Sequence, residues 1–271
     1  MSESPWIATL MALFLWWFST GIILWRVRVA DNGTAQDHIN SVIIGLPLLV
    51  VGMFAARASL SDLSPTGIYM AFFAALAIWG WIELAFLSGV ITGPNLDPCP
   101  PFVSTKDRFW RAVGTVAWHE TALVLALVVL GAASLQAENP FAFGTFGLLF
   151  FARISAKLNL FLGVPRINTQ FLPKPLSHLP SHFRYGRITA MFPVSVSALT
   201  VASALLMERA INVENPGLTV GYTLMTCLCL LALLEHWFMV LPLPDEKLWR
   251  WMMPAPKSQS KDRLHEDANG L

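Results

Sequence analysis

The sequence predicts an all-α, polytopic membrane helix bundle of seven spans, and three observations carry that prediction. The 271-residue chain divides into seven long apolar stretches. Only 13% of its residues are charged and 55% are hydrophobic, whereas soluble domains carry about 25% charged residues. Of its 18 Lys and Arg residues, fourteen fall in the alternate loops or the tail that share one side of those stretches.

A span needs about 20 predominantly apolar residues. The first covers 5–25. The MSESPW ahead of it holds no basic residue and no small-x-small site follows, so this segment is expected to stay as a helix rather than be cleaved. The second, 40–56, is the shortest and contains Pro47, tolerable where a neighbour satisfies the freed carbonyl. The third, 66–91, carries Ala71 and Ala75; the fourth and fifth cover 110–134 and 141–163. The sixth, 188–207, holds Pro193, Ser195, Ser197 and the pair Ala198/Ala202. Small residues four apart let helices approach closely, which places the third and sixth inside the bundle. The seventh covers 217–241. Residues 1–256 are expected to form one transmembrane domain and the polar segment 257–271 a disordered tail. An odd span count without an internal repeat weighs against inverted-repeat transporters.

The fourteen basic residues are Arg26 and Arg28; Lys106, Arg108 and Arg111; Arg166, Lys174, Arg184 and Arg187; and Lys247, Arg250, Lys257, Lys261 and Arg263. The opposite side has only Arg57 and Arg209, and Arg153 and Lys157 lie within the fifth span. The positive-inside rule puts the N-terminus outside and the C-terminus in the cytoplasm. Trp6 at one interface and Trp25, Trp110, Trp249 and Trp251 at the other fit aromatic belts. The net charge of +1 says nothing about nucleic acid, but the basic residues follow the membrane rather than form a binding face, so lipids and membrane proteins are the expected partners and nucleic acid is not. The seventh span has no lysine for a retinal Schiff base. Cys227 and Cys229 lie two apart, so they point about 200° apart on a helix and cannot share an ion; with Cys99 they make no disulfide framework.

Orientation gives the ionisable residues a depth. At ~1.5 Å per residue, Glu83 lies about 12 Å from the cytoplasmic end of its span, and His119 and Glu120 about 14 Å. Arg153 lies about 15 Å deep, Lys157 about 9 Å, and Glu235 and His236 about 8–9 Å. Four spans thus place ionisable groups in one slab, where an isolated charge costs about 2.5–3.5 kcal/mol. Such groups face inward and partner one another. Three uses stay open: a salt-bridge network pinning the helices, a metal or tetrapyrrole site, and an anionic-ligand or proton site. Glu83, Glu120, Glu235, His119 and His236 are the candidate ligands, since carboxylates and imidazoles build metal centres in helical bundles. The Glu-x-x-His spacing of those centres is absent, however, and Arg153 opposes a cationic centre. A lone imidazole among flat aromatics can also bind a tetrapyrrole metal axially, and Trp79, Trp81, Trp118 and Trp237 adjoin the layer in sequence.

The longest loop, 164–187, is basic and holds Pro165, Pro173, Pro175 and Pro180. His178 and His182 are four apart, a metal spacing on a helix, but Pro180 between them opposes a regular helix. The loop is expected to lie on the membrane surface or dock a partner. Loop 92–108 is equally proline-rich and faces the same side.

Four segments, LFLWWFSTGIIL, WHETAL, FARISAKLNLFLGVPRINTQFLPKPLSHL and LLEHWFMVLPLPDEKLW, resemble the PuhE family, photosynthetic complex assembly protein 2. The resemblance spans essentially the whole chain and is most specific in the long third segment. It implies the inner (intracytoplasmic) membrane of a purple phototrophic bacterium, with the N-terminus periplasmic. It implies a role in reaction-centre assembly tied to bacteriochlorophyll production or delivery, with bacteriochlorophyll or a precursor as the candidate ligand ahead of a transition metal. Partners would be reaction-centre or light-harvesting subunits or pigment-synthesis enzymes. The family supplies no catalytic residues to carry over, and the chain reads as an assembly factor rather than an enzyme. The rivals are a membrane metalloenzyme or oxidoreductase acting on a tetrapyrrole or quinone, and a transporter or porphyrin carrier.

Overall fold

The computed structural model describes residues 3–242. They form seven α-helices: α1 (Pro5–Asp31), α2 (Ala35–Ser59), α3 (Pro65–Leu87), α4 (Thr105–Ser134), α5 (Phe141–Leu162), α6 (Met191–Asn212) and α7 (Pro216–Phe238). All seven are long and apolar enough to cross a membrane. The predicted tail 257–271 and the end of the predicted domain lie outside the described residues.

Helix starts follow local chemistry. Pro65 and Pro216 open α3 and α7, where a missing amide proton leaves no bond unmade. The caps precede them: Ser64 Oγ accepts from the Gly67 amide at 3.3 Å, and Asn215 Oδ1 from the Leu218 amide at 3.1 Å. Thr34 and Asp37 form a capping box on α2.

Several helices outrun the predicted spans. α1 continues to Asp31, α2 and α4 start at Ala35 and Thr105, and α6 ends at Asn212. Arg26, Arg28, Arg57, Lys106, Arg108, Arg111 and Arg209 therefore sit on helix ends rather than in loops. Charge marks where the hydrocarbon stops, but a helix needs only backbone bonds, and long basic side chains are good helix formers. In contrast α3 stops at Leu87, short of residue 91, in a turn where Gly89 takes φ 75°. α7 likewise ends at Phe238 rather than 241.

The central helix is α3, with Ala71 and Ala75 fully buried; it packs on α2, α5 and α7. Placing the sixth span inside was incorrect. α6 is peripheral and packs mainly on α7, with Ala198 exposed. Its inner face is Ser195, Leu199 and Ser203, where the Leu199 carbonyl meets Cys229 Sγ at 3.5 Å. α2 stays helical through Pro47, and the Trp81 indole of α3 donates to the nearby Val42 carbonyl at 3.1 Å.

Because α3 and α7 stop early while α1 and α4 run on, one end of the bundle has a depression, and two loops fill it. Loop 163–190 carries two short 3₁₀ turns, Lys174–Leu176 and Leu179–His182. It folds onto the helices: Leu176 and Leu179 are buried against Phe86, flanked by Leu172 and Phe183. Its neck closes where the Arg184 amide donates to Leu160 O at 2.9 Å and the Gly186 amide to Val164 O at 3.1 Å. Lys174 is tied to Asp31 of α1, its amide donating to Asp31 Oδ1 at 3.1 Å.

The other loop docks its backbone on α4. Thr92 O accepts from the amides of Trp118 and His119 at 2.9 and 3.1 Å, and the Asn95 amide donates to Gly114 O at 3.1 Å. Only glycine fits at 93, since a Cβ there would stand 2.0 Å from Gly114 O. Irregular backbone beside a membrane helix is tolerated when protein supplies its hydrogen bonds.

At the opposite end the connections are short. Asn139, fully buried, donates from its amide to Leu60 O at 3.0 Å and from Nδ2 to Asp62 O at 2.8 Å. The basic, elaborated loops thus gather at one end and the short ones at the other.

Candidate functional site

The polar layer is organised by α5, which carries two polar stripes. Residues four apart on a helix share a face, and residues two apart point about 200° away. Arg153 and Lys157 therefore face α3 and α4, while Ser155 and Asn159 face α7 and α6.

On the first face Arg153 donates to Glu83 Oε2 at 2.7 Å, with 9% of the Glu83 side chain exposed. One turn on, Lys157 pairs with Glu120 of α4. His119, adjacent to Glu120 but about 100° around the helix, turns inward and is fully buried. Its Nε2 stands 3.7 Å from Glu83 Oε1, too far for a hydrogen bond. The imidazole lies against the Phe86 ring at 4.2 Å between centroids, and the Lys157 ammonium approaches the same ring at 5.5 Å. Phe86 also carries the loop contact with Leu176 and Leu179, so it links the cap to the layer.

On the second face His236 Nε2 is 2.9 Å from Ser155 Oγ, and Nδ1 is 2.8 Å from Ala232 O. A carbonyl can only accept, so Nδ1 carries the proton and Nε2 accepts from the serine hydroxyl. Asn159 Nδ2 donates to Ser195 Oγ of α6 at 2.9 Å. Glu235 stands at an open margin of the layer. Its carboxylate accepts from the Trp16 indole of α1 at 2.9 Å and is exposed, with Arg153 and Glu83 in electrostatic range.

The structure thus brings together Glu83, His119, Glu120, Arg153 and Lys157, leaves Glu235 at their edge, and turns His236 away to α5's other face. Sequence reasoning missed Ser155, Asn159, Phe86 and Trp16. The polar alternation Arg153, Ser155, Lys157, Asn159 within an apolar helix was the available signal for the first two. The tryptophans do not surround His119. Trp81 faces α2, Trp79 packs edge-on against Phe146 at 5.3 Å, Trp118 is exposed, and Trp237 packs on Phe192 at 5.5 Å. Neighbours in sequence point about 100° apart on a helix, so adjacency did not make an aromatic cage.

Chemically the layer holds two ion pairs whose charges cancel, with an imidazole between them. Glu83 Oε1, Glu120 Oε2, Arg153 Nε and both His119 nitrogens are buried without a hydrogen-bond partner. Among the described residues, no three His, Cys, Asp or Glu side chains are grouped to hold an ion. With His236 engaged at both nitrogens, His119 is the candidate with a free nitrogen. Its ring is closed over, however, so an axial macrocycle would require Phe86 to move.

The family model of DUF3623, described as a protein of unknown function, matches residues 1–260. The chain belongs to this family. A similar relative is an uncharacterized 30.4 kDa protein in the puhA 5′ region of Rhodobacter capsulatus. It is 56% identical over 253 residues, which is 93% of this chain and 92% of the relative. No solved structure matches. A membrane bundle of seven apolar helices in a family with a relative from the puhA region is what the findings establish.

Proposed function

We propose that this protein is a membrane assembly factor for the photosynthetic reaction-centre complex, acting on bacteriochlorophyll production or delivery. The observation that carries this reading is the relative from the puhA 5′ region, 56% identical across almost the whole chain. The resemblance to the PuhE family points the same way. We place the protein in the bacterial inner (intracytoplasmic) membrane with its basic, capped end in the cytoplasm. There it would meet reaction-centre or light-harvesting subunits or pigment-synthesis enzymes.

The pairings support a helix-pinning role for the polar layer. Each acid of the layer has a partner: Glu83 with Arg153, Glu120 with Lys157, and Glu235 with Trp16. The two loops cover one end, and an open groove of about 630 Å³ beside Asn95, Trp110 and Arg111 lies on that face.

The test is a deletion strain of the source bacterium, complemented with the wild-type gene or an empty vector. The expected result is a reaction-centre absorbance that falls on deletion and returns with the gene, while respiratory growth is unchanged. Normal reaction-centre and pigment levels in the deletion strain would overturn the proposal.

A further inference from the structure

The open groove of about 630 Å³ at the basic end takes no part in the polar layer. It runs beside the first turns of α4 and is lined by Pro94, Asn95, Val103, Asp107, Trp110 and Arg111. Its walls are held in place. The Asn95 amide donates to Gly114 O at 3.1 Å and its Nδ2 to Arg111 O at 3.0 Å, so the loop wall is fixed on the helix wall. Asp107 accepts from Ser104 Oγ through Oδ2 at 2.7 Å.

Two observations set this groove at the lipid surface. Trp110 is exposed, and so are Val113, Val124, Leu125 and Val128. At ~100° per residue these four lie within about 60° of Trp110 around the helix. That stripe faces hydrocarbon, and an exposed indole at its end marks the headgroup level. The second observation is Phe102, which precedes the wall residue Val103. Among the described residues it is the one non-glycine with positive φ, at 61°, and its side chain is fully exposed. A bulky residue in that region costs about 1–3 kcal/mol. Burying the ring in a leaflet offsets that cost.

The charges of the groove define what fits. Asp107 and Arg111 are one turn apart on one face of α4. Yet among the described residues neither forms an ion pair. Arg108 is already committed to His182 O at 3.1 Å and Phe161 O at 2.7 Å. A guanidinium suits bidentate contact with a phosphate, and a carboxylate suits an ammonium.

We propose that the groove is a headgroup site for phosphatidylethanolamine, with the lipid phosphate on Arg111 and its primary ammonium on Asp107. Phe102 and Trp110 then lie among the acyl chains. A trimethylated ammonium has no hydrogen to donate to Asp107, and a glycerol headgroup has no cation. Plain attraction to the basic end would instead favour an acidic lipid. The site lies apart from the polar layer and does not depend on the proposed function.

The full chain, purified in detergent and stripped of lipid, is given equimolar phosphatidylethanolamine, phosphatidylglycerol and phosphatidylcholine with identical acyl chains. Retained lipid is counted by native mass spectrometry. One phosphatidylethanolamine per chain should be kept about tenfold better than either rival, the worth of one charge-assisted bond. Asp107→Asn should abolish the preference over phosphatidylcholine, and Arg111→Gln should lower retention of all three. Arg187→Gln, a cation outside the groove lining, should change neither. Equal retention of the three lipids by the wild-type chain, or a preference for phosphatidylglycerol, would overturn the proposal without any variant having to fold. An Asp107→Asn chain that keeps the wild-type preference would overturn it too.

Discussion

Glu83 pairs with the Arg153 guanidinium at 2.7 Å with 9% of its side chain exposed, so removing the cation leaves a buried acid without its partner. Breaking such a pair costs about 3–5 kcal/mol, and the lower end applies here because the guanidinium is about a third exposed. Arg153→Ala should therefore destabilise the detergent-solubilised protein by about 3 kcal/mol. The double variant Arg153→Ala/Glu83→Gln should be more stable than the single one; additive losses in thermal unfolding would refute the pairing. Ser155→Ala should cost about 1 kcal/mol through its lost bond to His236. The acids and cations were legible in the sequence because a charge inside an apolar span is conspicuous and must be partnered. Ser155, Asn159 and Phe86 were not. A serine or asparagine in a span is less conspicuous than a charge and shows here only through its alternation with Arg153 and Lys157, and Phe86 is one of 18 phenylalanines. Which tryptophans face the layer depends on helix rotation, and rotation is set by packing.

At the scale of elements, the existence of all seven helices was legible from apolar length, but their ends were not. α1 and α4 outrun their apolar stretches and α3 and α7 fall short, because capping and loop docking set a helix end independently of hydropathy. Loop 88–104 depends on one close backbone approach. A Cβ at residue 93 would meet Gly114 O at 2.0 Å, whereas one at residue 114 would meet only Asn95 Cβ at 3.1 Å. Gly93→Ala should thus destabilise by about 2–3 kcal/mol and Gly114→Ala by clearly less; equal thermal shifts would contradict the docking. The cap should also respond to pH. Burial holds His178 and His182 below the ordinary imidazole value, so the folded loop favours them neutral. A base with a depressed folded pKa lends stability that is complete above its unfolded value of about 6.5 and lost as pH falls through the folded one. Cleavage at Lys174 or Arg184, normalised to an unstructured substrate, should quicken below about pH 6.5. A rate that stays flat on acidification would show that these histidines do not hold the loop.

For the whole molecule, α1 to α7 alternate direction, so the basic loops and the cap share one end and the short connections the other. The positive-inside rule then assigns the capped end to the cytoplasm. That assignment places the polar layer on the cytoplasmic side and decides which partners can reach the loops. Reporter fusions after Leu271 and in the loop at Glu138 measure it directly. A cytoplasmic signal at Leu271 together with a periplasmic signal at Glu138 is the predicted result. The reverse pair would contradict it and place the cap, the groove and the loop histidines on the wrong face for cytoplasmic partners.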